Sequence, residues 1–463
     1  MKRLKHADAA DRYIHNAPSP KAQHHAAIHL RQKRDLAVQE VAEFEQLREH
    51  ASRIKMHTLT HLDTYLEEFE SRALANGVHV HWALDSRELN EHVYQILHEH
   101  EVPYIVKSKS MLTEECGLNE YLEQRGIEVY DTDLGERIVQ LAKEPPSHIV
   151  VPAMHKTREE ISELFHQTMH TESGNLDARY LTLSARKDLR NRFMHAKAAI
   201  TGVNFGVAET GSITICTNEG NADLGVNKAP VQIHCMGIEK LIPRQVDLGI
   251  FIRLLARSAT GQRITTYTSH YQKPRPGGEM HLILVDNGRS AHLGMSDFWE
   301  ALKCIRCGAC MNTCPVFRSG GGHSYGYTVP GPIGSIIAPA RNFEEYGDLP
   351  FASSLCGSCS AVCPVKIDIH GQLLKWREVI VSAGKAETKK SVPMKIGANI
   401  LSRPRWYRWT GGAARKLLSW FPGMARRSIT DWTRGRELPP PPEESFRTWY
   451  LKNHKNKRNE QQG

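Results

Sequence analysis

Long hydrophobic runs are absent from this chain of 463 residues, although 40% of its residues are hydrophobic. Since about 20 consecutive apolar residues are needed to cross a bilayer, we expect no transmembrane helix. The first thirty residues carry Lys, Arg, Asp and many His but no apolar region, which argues against a secretory signal. We therefore expect a cytoplasmic protein with several domains.

Common catalytic motifs are missing as well. The chain has no G-x-G-x-x-G after its first predicted strand and no G-x4-G-K-S/T, so neither a dinucleotide site nor a P-loop is supported. No H-E-x-x-H occurs among its 25 histidines. His79 and His81 share one face of a predicted strand but lack an obvious third ligand, so we expect no histidine-based metal site.

Cysteine is concentrated in two short runs, which hold seven of the ten cysteines. The first run has the spacing C-x2-C-x2-C-x3-C-P, which is typical of an iron-sulfur site. The second keeps the last three cysteines and the proline. Zinc ribbons have no use for the extra cysteines and prolines, and bunched thiols in so long a chain favour metal ligands over disulfides. The runs are Cys304, Cys307, Cys310 and Cys314, then Cys356, Cys359 and Cys363.

Two clusters need eight ligands, and the two runs supply seven. In two-cluster ferredoxins the last cysteine of each run ligates the other cluster. On that rule a [4Fe-4S] cluster is held by Cys304, Cys307, Cys310 and Cys363, and a second cluster by Cys314, Cys356 and Cys359. The second is either [3Fe-4S] or [4Fe-4S] with a fourth ligand from water, a partner protein or Ser353, which stands in place of the missing cysteine.

Hydrophobic periodicity divides the chain into four predicted regions. The first is helical, and the second alternates short apolar runs with helical patterns, which predicts an α/β domain around a mainly parallel sheet. The third is an all-helical, ferredoxin-like module around the cysteine runs, and the fourth is a basic, Trp-rich segment. Their limits are 1–75, 76–298, 299–385 and 386–463.

Within these regions, apolar spacing predicts individual elements. A helix with one buried face is predicted from Leu59, Leu62, Leu66 and Phe69. Buried strands are predicted at 78–83, 102–106, 127–130 and 148–152. Small buried hydrophobic roles are expected for the three solitary cysteines, Cys116, Cys216 and Cys235.

Polar, glycine-rich loops in the α/β region are candidates for a ligand site, because α/β proteins bind ligands where parallel strands end. Glu209 and Glu219 are predicted to lie at strand ends beside glycines, which let a ligand approach closely. Ordinary turns and bulges would account for the same residues.

Seven short motifs precede the cysteine runs: Leu183-Ser-Ala-Arg-Lys187, Val207-Ala-Glu-Thr-Gly-Ser212, Thr217-Asn-Glu-Gly-Asn221, Gly237-Ile-Glu-Lys240, Arg257-Ser-Ala-Thr-Gly-Gln262, Thr265-Thr-Tyr-Thr268 and Asp286-Asn-Gly-Arg-Ser290. In this order, and with the two runs, they closely resemble the iron-sulfur B subunit of the three-protein lactate utilisation system. The resemblance covers essentially the whole chain.

The resemblance implies an electron-transfer subunit in the oxidation of L-lactate to pyruvate. It implies two partners, a second Cys-rich subunit and a smaller protein that shares the α/β domain. That domain is similar to the sugar-isomerase and CoA-transferase-like α/β folds. The seven cysteines of the runs match the family's cluster ligands, and the absent eighth cysteine is also the family's pattern.

The sequence identifies candidate substrate-binding residues less clearly than it identifies the candidate cluster ligands. CoA-transferases use a Glu in a glycine-flanked loop, and Glu219 lies in such a loop, but its flanking residues differ. We favour Glu209 and Glu219 as substrate-site residues, with Arg257 or Arg289 pairing a substrate carboxylate. The alternatives are a 2-hydroxyacid-oxidising enzyme whose α/β domain binds substrate, and a regulatory or structural iron-sulfur protein. The lack of a flavin or nicotinamide fingerprint favours electron transfer.

The C-terminal region is basic, with 18 Lys and Arg against 6 Asp and Glu in residues 385–463. Arginines there are interleaved with Trp406, Trp409, Trp420, Trp432 and Trp449. This mixture favours a partner-subunit interface. A peripheral contact with an anionic membrane surface and a solvated tail are the alternatives. No nucleic-acid recognition module is visible, so no nucleic-acid partner is expected.

Overall fold

The computed structural model describes residues 3–16, 20–384, 388–421 and 440–460. The chain divides into two compact units, residues 1–379 and 380–463. Both sheets belong to the first unit, and the described part of the second is helical. None of the described helices is both long enough and apolar enough to cross a bilayer.

Among the described residues, the first elements are four helices: α1 (His6–Asn16), α2 (Pro20–Gln39), α3 (Phe44–Thr60) and α4 (Leu62–Ala75). The apolar stripe predicted for a single helix is shared by two, because α3 ends just before His61 and α4 begins just after it. Leu59 and Phe69 are still buried, in one hydrophobic cluster with Met236 and Leu282 of the sheet. The predicted helical N-terminal region is confirmed, and its apolar face packs on the α/β core.

The described residues contain ten strands: β1 (His79–Ala83), β2 (Tyr104–Lys107), β3 (Glu128–Asp131), β4 (Ala198–Gly202), β5 (Phe205–Val207), β6 (Ser212–Thr217), β7 (Val231–Gly237), β8 (Leu241–Ile242), β9 (Tyr267–Tyr271) and β10 (Glu279–Val285). The larger sheet has the order β1-β10-β7-β4-β2-β3, and every pair in it is parallel. The smaller sheet has the order β8-β5-β6-β9. The predicted α/β domain around a parallel sheet is confirmed.

Helices between the strands are α5 (Ser86–Glu99), α6 (Met111–Glu115), α7 (Leu118–Glu123), α8 (Leu134–Ala142), α9 (Arg158–Met169), α10 (Ala178–His195), α11 (Asn221–Lys228), α12 (Gln245–Thr260) and α13 (Arg289–Leu293). Alternate residues of a strand point to opposite faces of a sheet. Accordingly Ile283 packs in a cluster with α5, and its neighbour Leu282 packs in the cluster with α4. Both faces of the parallel sheet are therefore covered, as such sheets require.

Residues 148–152 do not form the predicted strand. The segment is irregular, because the Nδ1 atom of His148 accepts hydrogen bonds from the backbone N–H groups of Val150 and Val151, at 3.0 and 3.1 Å. That local turn replaces the ladder hydrogen bonds of a strand. The expected burial of the solitary cysteines is met by Cys116 and Cys235, whereas Cys216 is half-buried.

Short helices surround the cysteine runs: α14 (Ala309–Thr313), α15 (Pro315–Gly320), α16 (Gly331–Arg341), α17 (Phe343–Tyr346), α18 (Ser358–Val362) and α19 (Ile369–Ser382). The described remainder holds α20 (Thr388–Leu401), α21 (Pro404–Trp420) and α22 (Phe446–Glu460). The helical cysteine module is confirmed. Of the C-terminal tryptophans, Trp406, Trp409, Trp420 and Trp449 are exposed, and Trp432 lies outside the described residues.

Phe69 offers a test of how far α4 contributes to the core. It is fully buried, whereas Leu74 of the same helix is 53% exposed. Phe69→Ala should lower the free energy of unfolding by about 3–5 kcal/mol, because it removes a large buried side chain and leaves a cavity. Leu74→Ala should cost less than about 1 kcal/mol. Urea unfolding followed by circular dichroism measures both, and similar losses would show that α4 is not part of the core.

Candidate functional site at the sheet edge and the cysteine runs

The two cysteine runs share one backbone path. Arg306 directly precedes Cys307 in the first run, and Leu355 directly precedes Cys356 in the second. Both residues have left-handed φ angles, of 60° and 54°. Gly308 and Gly357 directly follow these two cysteines and have φ angles of 78° and 77°. A short helix comes next in each run, and the last cysteine ends it. The structural repeat therefore has the register that aligns Cys304 with Ser353.

Ser353 also takes the hydrogen-bonding position of its counterpart. The backbone N–H of Arg306 donates to the Sγ of Cys304 at 3.4 Å, and the N–H of Leu355 donates to the Oγ of Ser353 at 3.1 Å. The hydroxyl oxygen thus stands where the eighth thiol would be in a symmetric pair of runs.

The proline that follows the first run helps to start the next helix. Cys314 is the N-cap of α15, and Pro315 occupies the first turn, where a missing N–H costs no hydrogen bond. The Sγ of Cys314 accepts from the N–H of Phe317 at 3.5 Å. In the second run the Sγ of Cys363 accepts from the N–H of Ile367 at 3.4 Å. Backbone donors of this kind disperse negative charge on a thiolate.

The last cysteine of each run lies close enough to cysteines of the other run to interact with them electrostatically. Cys363 interacts with Cys304 and Cys310, both of the first run. Cys314 interacts with Cys356 and Cys359 of the second run. This is the arrangement that ligand crossover requires. Cys310 also neighbours Cys359, so the two thiol groups adjoin.

The donor set suits iron-sulfur clusters. All ten cysteines are unpaired, and five of the seven in the runs are buried. Burial raises the pKa of Cys359 and of Cys363 to about 11, with nearby cysteine thiolates adding to it. Buried cysteines of this kind are stable as thiolates only when bound cations compensate their negative charge. Cys356 differs, since it is exposed and a backbone hydrogen bond from Ser358 lowers its pKa.

A cavity of about 540 Å³ lies where the strands of the parallel sheet end. Its wall includes Ser110 after β2, Gly202 at the end of β4 and Gly237 at the end of β7. The strand order reverses between β2 and β4, which is where open α/β sheets bind ligands. Arg306 and Cys307 of the first cysteine run complete the wall. One cavity therefore contacts both the sheet edge and a cluster-ligand candidate.

Buried ion pairs define one side of this cavity. The Nε of Arg289 donates to Glu239 at 2.6 Å, and Arg289 lies 3.3 Å from Glu115, which also pairs with Arg341. Burial alone would raise the pKa of Glu239, but Arg289 and nearby cations outweigh it and hold that pKa at about 2. A side chain on Gly237 would overlap the Glu239–Arg289 pair, so the glycine makes room for it.

Two family models match the chain, the LUD domain over residues 66–290 and the 4Fe-4S dicluster domain over residues 300–367. Lactate utilization protein B of Bacillus thuringiensis (strain Al Hakam) and lactate utilization protein B 2 of Bacillus mycoides (strain KBAB4) are each 42% identical to it over 431 residues, covering 90% of either chain. The chain belongs to the lactate utilization protein B family. The resemblance carried by the motifs is confirmed.

A crystal structure of a DUF162 family protein from Deinococcus radiodurans is also similar. It covers 48% of this chain and 98% of its own, at 14% identity and a TM-score of 0.27. A likeness at that level carries no functional argument.

In this member of the B family, the structure separates the four predicted substrate residues. Glu219 and Arg289 line the cavity, and Glu209 and Arg257 do not. The carboxylate of Glu209 accepts a hydrogen bond from the N–H of Gln245 at 2.8 Å, at the start of α12. Arg257 is buried and donates to the carbonyl of Ala37 at 2.8 Å, which ties α12 to α2. We therefore assign structural roles to Glu209 and Arg257.

Glu219 has the surroundings of a proton-binding group. Its carboxylate accepts from the N–H of Leu134 at 3.1 Å, in the first turn of α8. Burial raises its pKa, and the nearby carboxylate of Asp133 adds to that effect. Arg289 is already paired with two carboxylates, Glu115 and Glu239. It therefore has little capacity left for the predicted role of binding a substrate carboxylate.

Sequence reasoning missed two cavity residues, Lys240 and Arg306. Lys240 belongs to the Gly237-Ile-Glu-Lys240 motif that carried the family resemblance, which was the available signal. Arg306 stands between two cysteines of the first run, where the cysteine spacing places no demand on the residue type.

A histidine cluster lies at the opposite end of the strands. Within the described residues, His100, Glu279 and His281 form a group with metal-ligand spacing, and His281 stacks on His79 and His81. The Glu279 carboxylate lies 3.2 Å from His100 and 3.3 Å from His281. These are also ordinary histidine–carboxylate hydrogen-bond distances, so no ion is needed to explain the group.

The crossover of ligands predicts opposite effects of two substitutions. Cys363→Ala should mainly disturb the four-thiolate cluster, although Cys363 belongs to the second run, and Cys314→Ala should mainly disturb the three-thiolate cluster. Iron and sulfide analysis with EPR spectroscopy identifies the signal that is lost. Cys216→Ala, outside the runs, should keep both signals. Loss in each variant of the cluster of its own run would contradict the crossover.

The buried ion pairs predict a large cost for losing one arginine. Arg289→Met leaves two buried carboxylates short of a cation, so the free energy of unfolding should fall by about 3–5 kcal/mol. Arg263, which is 79% exposed beside Glu40, is the control, and Arg263→Met should cost under about 1 kcal/mol. Urea titrations at matched iron content compare the two variants. Equal changes would show that the buried network adds no more than a surface pair.

Proposed function

We propose that this chain is an iron-sulfur electron-transfer subunit in the oxidation of L-lactate to pyruvate. The observation that carries the proposal is the position of Cys307, which belongs to the first cysteine run and lines the cavity at the strand ends. Iron-sulfur clusters, when bound, supply one-electron chemistry. A molecule in the cavity would contact a cluster ligand directly, without an intervening layer of protein.

We infer that electrons pass through the cysteine runs from the cavity towards the surface. Cys307 lines the cavity, Cys310 neighbours Cys359, and Cys356 is exposed. Phe351, close to the second run in sequence, is 48% exposed. We assign Cys304, Cys307, Cys310 and Cys363 to a [4Fe-4S] cluster on the cavity side, and Cys314, Cys356 and Cys359 to a [4Fe-4S] or [3Fe-4S] cluster on the surface side. Electrons would leave the protein near Cys356.

Partners are required by the reaction itself. Conversion of lactate to pyruvate releases two electrons and two protons, so an electron-transfer subunit needs a donor and an acceptor. The relatives are named for lactate utilization, and we assign this chain to the same system, in the cytoplasm, with a second Cys-rich subunit and a smaller α/β subunit. The exposed tryptophans of the basic C-terminal region suit an interface with such a partner, and a peripheral membrane contact is the alternative.

A second candidate function is binding of the hydroxyacid by the α/β domain itself. The cavity volume of about 540 Å³ falls in the range of small-molecule sites. The raised pKa of Glu219 would allow it to exchange a proton with a bound hydroxyl group. This would make the chain a substrate-binding subunit as well as an electron carrier.

L-Lactate alone should not reduce the clusters of the isolated chain, because no hydride-accepting cofactor site is apparent in its sequence. Addition of both partner subunits should restore reduction by L-lactate. Anaerobic EPR and visible spectroscopy measure the reduced fraction, with dithionite as the positive control in each sample. Full reduction by lactate without partners would make this chain the catalytic subunit. No reduction with both partners present would contradict the proposed function.

A further inference from the structure

Most of the charged side chains that line the cavity are paired with one another. Lys109 lies 3.3 Å from Asp133, and Arg289 is held by Glu239 and Glu115 as described above. Three charged side chains of the wall remain outside these pairs: Lys240, Arg306 and Glu219. The pairing therefore leaves two cations, and one carboxylate whose pKa is raised.

Lys240 is held in place by its backbone. It follows Glu239 directly after β7, and the buried ammonium group of Lys55 donates to the carbonyls of Glu239 and Leu241 on either side of it. Its own side chain has no hydrogen-bond or ion-pair partner in the part of the chain that the structure describes. Burial lowers the pKa of Lys240 and repulsion by Arg306 adds to that effect, whereas attraction by the Glu239 carboxylate opposes it.

Arg306 is also held in place by its backbone. Its left-handed backbone and the hydrogen bond from its N–H to Cys304 hold it in the cysteine loop. The Nη1 atom of its guanidinium group is buried and has no hydrogen-bond partner among the described residues. An unpaired buried donor on a charged group is costly, so a ligand that accepts hydrogen bonds would be bound favourably there.

We propose that Lys240 and Arg306 form the anion-binding end of the cavity and take the carboxylate of a small organic acid beside Cys307. Guanidinium groups match a carboxylate in shape and hydrogen bonding. The carboxylates of Glu219 and Asp133 line the same cavity and disfavour a multiply charged anion such as a phosphate. That the acid is a 2-hydroxy or 2-oxo acid rests on the proposed function.

The rival explanation is that the two cations only balance the charge of cluster thiolates. Cys304 does act on Lys240 electrostatically, so both explanations predict that removing Lys240 changes the cluster potential. Only an anion site predicts that the same substitution changes ligand binding.

The test uses the full chain with clusters intact and oxamate, an unreactive analogue of a 2-oxo acid, as the probe. Isothermal titration calorimetry should show oxamate binding at one site and little binding of inorganic phosphate. Lys240→Gln and Arg306→Gln should each weaken oxamate binding by about tenfold to hundredfold, because each removes a charge-assisted hydrogen bond. Lys228→Gln, an exposed lysine outside the cavity, should bind oxamate like the unaltered chain.

Iron and sulfide content checks that each variant keeps its clusters. If Arg306→Gln loses them, Lys240→Gln decides the matter, because Lys240 lies outside the cysteine loop. Unaltered oxamate affinity in Lys240→Gln, with or without a shifted cluster potential, would overturn the anion site. So would phosphate binding as tight as that of oxamate.

The oxamate experiment can fail or succeed independently of the proposed electron-transfer function. Oxamate binding that depends on Lys240 would support the anion site even if lactate fails to reduce the clusters with all partners present. Lactate-dependent reduction together with oxamate binding that ignores Lys240 would uphold the proposed function and contradict this inference.

Discussion

Four buried or half-buried charges join the parallel sheet to the cysteine module. Glu239 and Arg289 follow strands β7 and β10, Glu115 ends α6, and Arg341 ends α16 of the module. Two carboxylates face two guanidinium groups, and buried charges are tolerated only when they are paired and hydrogen-bonded in this way. The network connects the strand ends with the module that carries the first cysteine run. Three members of the network, Glu115, Glu239 and Arg289, line the same cavity as Cys307.

The cysteine runs show a second constraint, which acts on the backbone. Arg306 and Leu355 are held in the left-handed region, which costs a residue other than glycine on the order of 1 kcal/mol or more. In return their N–H groups point at the side chains two residues earlier, Cys304 and Ser353. The second run keeps this geometry although a hydroxyl stands in the place of its first thiol. The backbone repeat is therefore kept in the second run even where the cysteine is replaced by a serine.

Local patterns are sufficient for the fold class and for the candidate cluster ligands. The α/β domain is predictable because strand and helix periodicities are properties of a few consecutive residues. The spacing of the cysteines is equally local, so it marks all seven run cysteines without any knowledge of long-range contacts. Local reasoning fails where a single side chain redirects the chain, as His148 does by accepting two backbone N–H groups within 148–152.

The composition of the cavity was decided by tertiary structure. Glu209 and Arg257 have the residue types and glycine-rich surroundings of a substrate site, yet each satisfies a neighbouring backbone group instead. Lys240 was marked only by its place in a family motif and Arg306 by nothing in the sequence, yet both line one cavity. The amino-acid sequence by itself determined the candidate thiol ligands, the family and the alternation of strands and helices. Which charged side chains remain unpaired beside Cys307 depended on the tertiary structure, because pairing is set by contacts between residues far apart in the chain.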